Sequence, residues 1–416
     1  MKKRLLLAGL ICISTLSFAT FTSCNSDNGS IDKTPPSNKT YVKEEPYTLG
    51  QLEGASEIKT ATYKMPNVLE LQAEATALVF YPKTARPADG WRTVVWAHGT
   101  VGVGDACAPS KNELGANFSI LAESLLNEGY VIIAPDYEGL GTPGIHPYLH
   151  LESEANSAIY AVKAVHEKYE TEFNPDWMSV GQSQGGQASL GIAEYANNNP
   201  NFKGAVAGAP ASSLGKIILE VAPLALAQIE AQEDAANIPH ENRTSINSYA
   251  TLLSYAGLAG AGIKAYQTDF DYIKLFMSRS QAFAPLAEGN NGECLDEIRQ
   301  AFKGDIIAFM KEDKTHKIMD YPGLDENTFK KDPIVQDFLK RSQPGTKKID
   351  KPVLVIQGTK DTNVPYPVTE EMVKNLQNLG SENITFLPVV GASHTEAIVQ
   401  ANPQLVKFIK QYLPAK

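Results

Sequence analysis

A short stretch in the middle of the chain, Met178-Ser179-Val180-Gly181-Gln182-Ser183-Gln184-Gly185-Gly186, decides the fold. It joins an apolar run with strand character to a helical pattern over residues 184–198 through the sequence G-x-S-x-G. A serine at such a turn sits on a strained backbone, and the residues two before and two after it must be small so that strand and helix can pass closely. Gly181 and Gly185 meet this requirement, and we therefore predict that Ser183 is a nucleophile. The alternative is a glycine-rich packing turn without chemistry.

Two backbone N–H groups are expected to face this serine and to stabilise an oxyanion. The first belongs to Gln184, at the positively polarised start of the following helix. The second should come from an earlier loop, where Trp96-Ala97-His98-Gly99-Thr100 follows an apolar run. We assign this second donor to Thr100, with Gly99 as the alternative. We interpret His98 as a structural hydrogen-bonding residue, because no acid or nucleophile is paired with it by spacing.

A serine nucleophile needs a histidine base and an acid, which follow it along the chain in folds with this kind of turn. Three histidines follow Ser183, and only His394 lies between the last predicted strand and the final predicted helix. The other two, His240 and His316, fall within helical or charged segments. Asp361 lies in the loop after the penultimate predicted strand, at the same edge of the sheet, and we predict a Ser183, Asp361, His394 triad. The alternative for Asp361 is an ordinary loop cap.

Short apolar runs alternate with amphipathic helical patterns from about residue 75 onwards, which is typical of an α/β fold with a mostly parallel central sheet flanked by helices. Strands are predicted at residues 76–81, 93–97, 130–134, 178–180, 205–207, 352–356 and 384–387. Helices are predicted at residues 114–128, 152–170, 184–198, 367–379 and 395–412. Each predicted helix follows a strand, as crossovers between parallel strands require.

A long interval separates the predicted strand that ends near residue 208 from the one that begins at residue 352. Its length far exceeds an ordinary connection of a few residues, and its Ala- and Leu-rich sequence has helical periodicity without a strand pattern. We therefore predict a helical cap inserted at about residues 211–345 into a single catalytic domain over residues 46–416.

The N-terminus has the pattern of an export signal. A basic start and a mostly apolar stretch are followed by Phe21-Thr22-Ser23-Cys24, which resembles a loose bacterial lipobox. We predict a lipoprotein-type signal over residues 1–24, lipidation of Cys24, a polar tether over residues 25–45, and location in the cell envelope. The alternative is cleavage by a standard signal peptidase nearby, with Cys24 incidental.

Composition and spacing argue against several classes of partner. The net charge of -10 supplies no field that would attract nucleic acid. His146 and His150 are four residues apart, but Pro147 lies between them and no third ligand follows, so we predict no metal and no cofactor.

The run Asp136-Tyr137-Glu138 is interpreted as carboxylates that fix a glycine-rich loop rather than as proton-transfer groups.

Export changes how the cysteines are interpreted. Cys12 lies within the signal and Cys24 is the predicted lipidation site, which leaves Cys107 and Cys294 as the only pair. In an oxidising compartment such a pair predicts a disulfide, and the alternative is two free buried thiols.

The ordered series of motifs resembles the secretory lipase family of α/β-hydrolases, here as a bacterial lipoprotein, from about residue 60 to the C-terminus. The motifs are Val95-Trp96-Ala97-His98-Gly99-Thr100, Asp105-Ala106-Cys107-Ala108-Pro109-Ser110, Pro135-Asp136-Tyr137-Glu138-Gly139-Leu140-Gly141, His146-Pro147-Tyr148-Leu149 and Gly181-Gln182-Ser183-Gln184-Gly185-Gly186. The resemblance implies esterase or lipase activity on acyl esters, a helical cap after the sixth core strand, and the triad already predicted. It also implies a disulfide between the early loop and the cap. The family's preference for long acyl chains does not carry over, because the inserted segment has no matching motif.

Two other functions use the same residues. A serine peptidase or aminopeptidase would have the same triad, and acidic residues of the insertion (Glu220, Glu230, Glu233 and Asp234) could form its pocket for a charged peptide terminus. A non-catalytic binding lipoprotein would retain the fold alone, but the intact order of triad residues favours an enzyme. We expect a monomer that acts on a small-molecule or lipid ester.

Overall fold

A nine-stranded sheet forms the centre of residues 39–415, which are the residues that the computed structural model describes. The strands are β1 (Tyr41–Pro46), β2 (Ala55–Pro66), β3 (Gln72–Pro82), β4 (Trp91–Ala97), β5 (Val131–Pro135), β6 (Phe173–Gln182), β7 (Phe202–Gly208), β8 (Val353–Gly358) and β9 (Ile384–Val389). Their order across the sheet is β1-β2-β3-β5-β4-β6-β7-β8-β9. The pairs β1–β2, β2–β3 and β3–β5 are antiparallel, and all pairs from β5–β4 to β8–β9 are parallel.

Helices cover both faces of this sheet. The α-helices are α1 (Ala116–Asn127), α2 (Leu151–Lys168), α3 (Gln184–Tyr195), α4 (Leu214–Lys216), α5 (Ala222–Ala235), α6 (Thr244–Ile263), α7 (Leu295–Glu312), α8 (Glu326–Lys331), α9 (Pro333–Arg341), α10 (Tyr366–Asn378), α11 (Glu396–Gln400) and α12 (Asn402–Tyr412). Helices α2, α3 and α10 pack on one face, and α1, α11 and α12 pack on the other. None of the described helices is long and apolar enough to cross a membrane.

The two-sided covering explains why the central strands contain continuous apolar runs. Val94 and Val95 are neighbours on β4 and are both fully buried, Val94 against the α1 side and Val95 against the α2 side. A parallel strand covered by helices on both faces has no solvent side and therefore needs no polar alternation. The predicted α/β fold with a mostly parallel sheet is confirmed, and each of the seven predicted strands overlaps one of β3 to β9.

The N-terminal part of the sheet was not predicted. Strands β1 and β2 are antiparallel, and β1 has the polar sequence YVKEEP, so they lack the apolar runs by which the other strands were found. The predicted tether is wrong at its C-terminal end, because residues 41–45 belong to β1. Backbone pairing with β2, rather than apolar side chains, orders these residues, and the backbone N–H of Thr40 donates to a carboxylate oxygen of Glu167 over 2.8 Å. The predicted signal over residues 1–24 and the tether residues 25–38 lie outside the described residues.

The C-terminal helix differs from the prediction of one continuous helix over residues 395–412. It is divided into α11 and α12, with Ala401 between them. Pro403 lies in the first turn of α12, where its missing N–H is tolerated but where it cannot continue the hydrogen-bond ladder of a preceding helix.

A helical segment separates β7 from β8. It follows the sixth strand when the strands are counted from β2, and it contains α4, a π-helix (Ile217–Val221) that leads directly into α5, and then α6 to α9. We call residues 211–345 the cap. In the described residues of this segment the only β-pairing is an isolated bridge between Phe276 and Leu324. The cap has its own apolar core, centred on the largely buried helix α6.

Candidate active site

Ser183 occupies a sharp turn between β6 and α3. Its φ of 61° and ψ of -118° are unusual for a residue with a side chain, and its backbone N–H is held by the carbonyl of Gly208 over 2.8 Å. A Cβ atom on Gly181 would lie 2.0 Å from the carbonyl oxygen of Gly185, and one on Gly185 would lie 1.8 Å from that of Ala97. Both distances are far below van der Waals contact, so both positions require glycine.

The structure brings Ser183, Asp361 and His394 together, although they are distant in sequence. The Nε2 atom of His394 lies 2.8 Å from Ser183 Oγ, and its Nδ1 atom lies 2.7 Å from an oxygen of Asp361. Because a carboxylate can only accept, Nδ1 carries the proton, and Nε2 is left to accept from the serine hydroxyl. This arrangement can move a proton from the serine to the histidine.

Asp361 is held by more than the histidine. One of its oxygens accepts from His394 and from the amide of Gln357 over 2.9 Å, and the other accepts from the backbone N–H groups of Asn363 and Val364, each over 2.9 Å. Its side chain is fully buried. Four hydrogen bonds compensate for burial of this carboxylate and fix its orientation.

Two glutamines at the site were not predicted from the sequence. Gln357, near the end of β8, also accepts from Thr369 over 2.8 Å, so its amide is oriented with its N–H groups toward Asp361. Gln182 donates from its side chain to the backbone carbonyl of His394 over 3.2 Å. Both lie at the ends of strands that lead into the triad loops, and this position is the only signal in the sequence that could have indicated them.

The residues predicted as oxyanion donors lie in segments next to Ser183. Gln184 is the first residue of α3, and a Cβ atom on Gly99 would lie 3.7 Å from Ser183 Cβ, so the loop that carries Thr100 passes close to the nucleophile. Within residues 39–415, neither the Gln184 N–H nor the Thr100 N–H donates to another backbone group outside a helix or strand. The Thr100 hydroxyl forms a 2.8 Å hydrogen bond with that of Tyr148.

The other predicted polar residues near the site have structural contacts. His98 lies with Nδ1 2.7 Å from the carbonyl of Gly99 and with Nε2 3.3 Å from that of Asp136, as expected for a structural residue. Burial lowers its pKa. The carboxylate of Asp136 accepts from the Thr76 hydroxyl over 2.6 Å, and that of Glu138 accepts from the backbone of Val68 over 2.9 Å. Both carboxylates therefore have structural partners in other segments, although neither of these contacts is to the predicted glycine-rich loop.

His146 and His150 do not face a shared site. His146 is buried, with Nδ1 2.9 Å from the carbonyl of Glu138, and burial lowers its pKa to about 3. His150 precedes α2, where its side chain accepts from the backbone N–H of Ser153. Burial lowers the pKa of His150 to about 4, so both rings are neutral near pH 7.

The predicted disulfide between Cys107 and Cys294 is present. It joins the segment after β4 to the cap residue that directly precedes α7, across 187 positions of sequence. Next to it, the backbone N–H of Leu295 donates to the carbonyl of Val101 over 2.8 Å. The loop that carries Thr100 is therefore attached to the cap by both a covalent bond and a hydrogen bond.

A narrow apolar cavity begins at Ser183 and runs between the core and the cap. The volume of the cavity, counted as the space open to the centre of a water molecule, is about 60 Å³. Its core side contains Tyr148 and Leu149, and its cap side is formed mainly by one face of α6 and by residues of the π-helix. No charged residue lines it, and the polar side chains among the lining residues are those of Ser183, Asn363 and two tyrosines, Tyr148 and Tyr255.

Two family models match parts of the chain. The model described as secretory lipase matches residues 114–234, which contain Ser183, and the model described as prolyl oligopeptidase family matches residues 300–415, which contain Asp361 and His394. No curated protein matches the sequence.

Several solved structures share the fold. The rice cell wall degrading esterase LipA from Xanthomonas oryzae is 18% identical, with a TM-score of 0.63 over 90% of this chain and 98% of that chain. A putative hydrolase from Legionella pneumophila is 18% identical, with a TM-score of 0.67 over 91% and 99%. Candida antarctica lipase A in its closed state is 17% identical, with a TM-score of 0.63 over 90% and 81%.

The sheet, its helices and these structural neighbours show that the chain has the α/β-hydrolase fold. The secretory lipase match over residues 114–234 agrees with the resemblance found in the motifs.

Proposed function

We propose that this protein hydrolyses carboxylic esters of acyl chains through a Ser183, Asp361, His394 triad and an acyl-enzyme intermediate. The observation that carries the proposal is the hydrogen-bonded line from Asp361 through His394 to Ser183, with distances of 2.7 Å and 2.8 Å. No metal or cofactor takes part in this mechanism.

In the first half of the reaction, Ser183 Oγ attacks the ester carbonyl carbon as its proton moves to His394 Nε2. The carbonyl oxygen gains negative charge, which the N–H groups of Gln184 and Thr100 stabilise by donation. Asp361 stabilises the imidazolium that forms. The tetrahedral intermediate then expels the alkoxide, which takes the proton from His394 and leaves as the alcohol.

In the second half, water attacks the acyl-enzyme while His394 Nε2 takes one of its protons. The second tetrahedral intermediate collapses, the bond between the acyl carbon and Ser183 Oγ breaks, and His394 returns the proton to the serine. The carboxylic acid leaves and the triad is restored.

The apolar lining of the cavity next to Ser183 favours binding of an acyl group over binding of a charged group. Its walls are apolar and no charged side chain lines it, so a hydrocarbon chain is stabilised there by desolvation whereas an ionised group is not. The secretory lipase match supports the same class of substrate. We therefore propose that the acyl part of the ester occupies this cavity.

A peptidase is the second candidate, because residues 300–415 match the prolyl oligopeptidase family model. An aminopeptidase pocket would need an acid near Ser183, and the acidic residues of the cap have other contacts. Glu230 accepts from the backbone of Ile318 over 2.9 Å, Glu233 accepts from Thr244 over 2.6 Å, and Asp234 pairs with Arg243 and Lys317. Neither these three nor Glu220 lines the cavity, so the ester is favoured.

The test compares Ser183→Ala with the unchanged protein on p-nitrophenyl esters and on aminoacyl anilides. Ser119→Ala, which removes a hydroxyl from the exposed side of α1, is the matched control. We expect ester turnover by the unchanged protein and by the control, a loss of several orders of magnitude in Ser183→Ala, and labelling of Ser183 by a fluorophosphonate probe.

Three results would contradict the proposal. Full ester turnover by Ser183→Ala would remove the assigned nucleophile. Faster cleavage of anilides than of esters would favour the peptidase. Failure of the unchanged protein to react with the fluorophosphonate would favour a binding protein without catalysis.

We also propose that the protein is exported and anchored by a lipid on Cys24. The signal-like N-terminus, the secretory lipase match and the Cys107–Cys294 disulfide, which needs an oxidising compartment, support export. Cys24→Ser should move the enzyme from the membrane fraction to the soluble fraction and abolish incorporation of labelled palmitate. Unchanged incorporation would contradict the assignment.

A further inference from the structure

A buried carboxyl group lies directly behind the nucleophile turn. Glu154, in the first turn of α2, is fully buried and has no cationic partner among the described contacts. One of its oxygens accepts from the Gln184 amide over 2.7 Å and from the backbone N–H of Leu149 over 2.9 Å. Its other oxygen has no hydrogen-bond partner, and burial raises its pKa to about 8. An acid without a cation is rarely fully buried, so this position calls for a reason.

One set of contacts fixes Gln184. Its amide nitrogen donates to Glu154 and lies 3.1 Å from Nε2 of His146. His146 Nδ1 faces the carbonyl of Glu138, which can only accept, so Nδ1 carries the proton and Nε2 accepts from Gln184. Both amide N–H groups of Gln184 therefore have defined partners. The backbone N–H of this same residue is the proposed first oxyanion donor.

A second set of contacts leads from Glu154 toward Thr100. Leu149, whose N–H Glu154 accepts, has a φ of 60°, which is unfavourable for a branched side chain, and its carbonyl accepts from Gln187 over 2.9 Å. The preceding residue, Tyr148, contacts the Thr100 hydroxyl over 2.8 Å. The loop that Glu154 holds is thus the loop that contacts the second proposed oxyanion residue.

We propose that Glu154 is a positioning residue that holds both oxyanion donors, Gln184 directly and Thr100 through Leu149 and Tyr148. The inference rests on the proposed ester hydrolysis. Glu154 does not touch the substrate. Its loss should reduce stabilisation of the tetrahedral intermediate while the apolar cavity still binds the acyl chain.

The experiment measures kcat, KM and the inhibition constant of a trifluoromethyl ketone, which forms a tetrahedral adduct with the serine and bears an oxyanion. We expect Glu154→Ala to lower kcat by about 10–100-fold and to raise the inhibition constant of the ketone by a similar factor. The KM should change by less than about threefold. Glu154→Gln retains an oxygen that can accept both hydrogen bonds, so it should recover most of the activity.

Glu194→Ala is the matched control. Glu194 is also a buried carboxyl, and it accepts from the backbone N–H groups of Gly345 and Thr346 at the far end of α3. Its loss should leave the ratio of the ketone inhibition constant to KM unchanged. If Glu154→Ala does not fold, Gln184→Met removes the side-chain contact between Gln184 and Glu154 and should lower kcat and the affinity for the ketone, with KM nearly unchanged, through the first donor alone.

The outcomes separate this inference from the proposed function. Normal kcat and ketone affinity in Glu154→Ala, together with an inactive Ser183→Ala, would overturn the inference and leave the ester hydrolase intact. An equal change in ketone affinity and in KM, or the same loss in Glu194→Ala, would also overturn it, because either result indicates a general structural role. Full activity of Ser183→Ala would instead overturn the proposed function.

Discussion

The two sides of Ser183 are built in different ways. On the core side, polar atoms have directed partners, as Asp361 shows by accepting four hydrogen bonds from one histidine, one glutamine and two backbone groups. On the cap side, the wall of the cavity is formed by apolar side chains of α6 and of the π-helix, and no charged group lines it. Under the proposed function, directed bonds determine the reaction, whereas side-chain volume determines which acyl group fits. Changes on the two sides should therefore have different kinetic signatures.

The largest effect is expected in the core, from Asp361→Asn. An amide in place of the carboxylate no longer favours the Nδ1–H tautomer of His394, so Nε2 loses its ability to accept the serine proton. We expect kcat to fall by about 10³–10⁴-fold with acetyl and with palmitoyl esters alike. The control is Asp350→Asn, on an exposed residue paired with Lys348 before β8, which should retain full activity. A loss that depended on acyl length would contradict the division between core and cap.

A smaller and selective effect is expected in the cap, from Ala259→Phe. Ala259 lines the cavity from α6, and a phenyl ring there should occupy space that a long acyl chain needs. We expect kcat/KM to fall by about 10–100-fold for palmitoyl esters and by less than about threefold for acetyl esters, since each excluded methylene costs a limited amount. Ala265→Phe, beyond the end of α6 and outside the cavity lining, is the control. An equal decrease in kcat/KM for both esters would contradict the prediction that the acyl chain contacts Ala259.

The smallest effect is expected in the acid stability of the core. His166 packs behind the sheet with Nε2 2.9 Å from the hydroxyl of Thr93, and burial lowers its pKa from the ordinary 6.5 to about 4. Between pH 6.5 and pH 4 the imidazole of His166 binds a proton in the unfolded chain but not in the folded chain. The free energy of unfolding therefore has its full value above pH 6.5 and decreases as the pH falls toward 4. The measurement is the free energy of unfolding in urea at pH 7 and at pH 4.5. The difference between the two values should be smaller in His166→Gln than in the unchanged protein by on the order of 2 kcal/mol.

The matched control for this stability measurement is in the cap. His316 is partly exposed and stacks on Phe309. The control variant is His316→Gln. If the free energy of unfolding depended less on pH in His316→Gln than in His166→Gln, the acid-sensitive group would not be the histidine in the core.

The sequence was most informative where one physical requirement dominates a segment. Strands β4 and β5 contain buried apolar runs and could be predicted, whereas β1 depends on backbone pairing of a polar segment and could not. Ser183 could be predicted because the turn requires Gly181 and Gly185, and chain order then selected Asp361 and His394. The partners behind them could not be predicted in this way.

Those partners depend on side-chain orientation across distant segments. Glu154 meets Gln184 from another helix, and Gln357 is oriented by Thr369, twelve positions further along the chain. A buried hydrogen bond of this kind leaves no periodicity, and many buried residues of these types have structural roles. The shape of the cavity was not predictable for a similar reason, because it depends on how α6 packs over the core.

The two glycines of the nucleophile turn also bear on how such an enzyme can diverge. A side chain at Gly181 would overlap the carbonyl oxygen of Gly185 in α3 at 2.0 Å, and one at Gly185 would overlap that of Ala97 in β4 at 1.8 Å. No single compensating side-chain substitution removes either overlap, because both are with the backbone. The cavity wall, in contrast, contains many Ala, Leu and Ile side chains, whose volumes can change one residue at a time. We expect descendants of this chain to acquire new acyl preferences through the cap by successive single substitutions, while the turn that carries Ser183 remains unchanged.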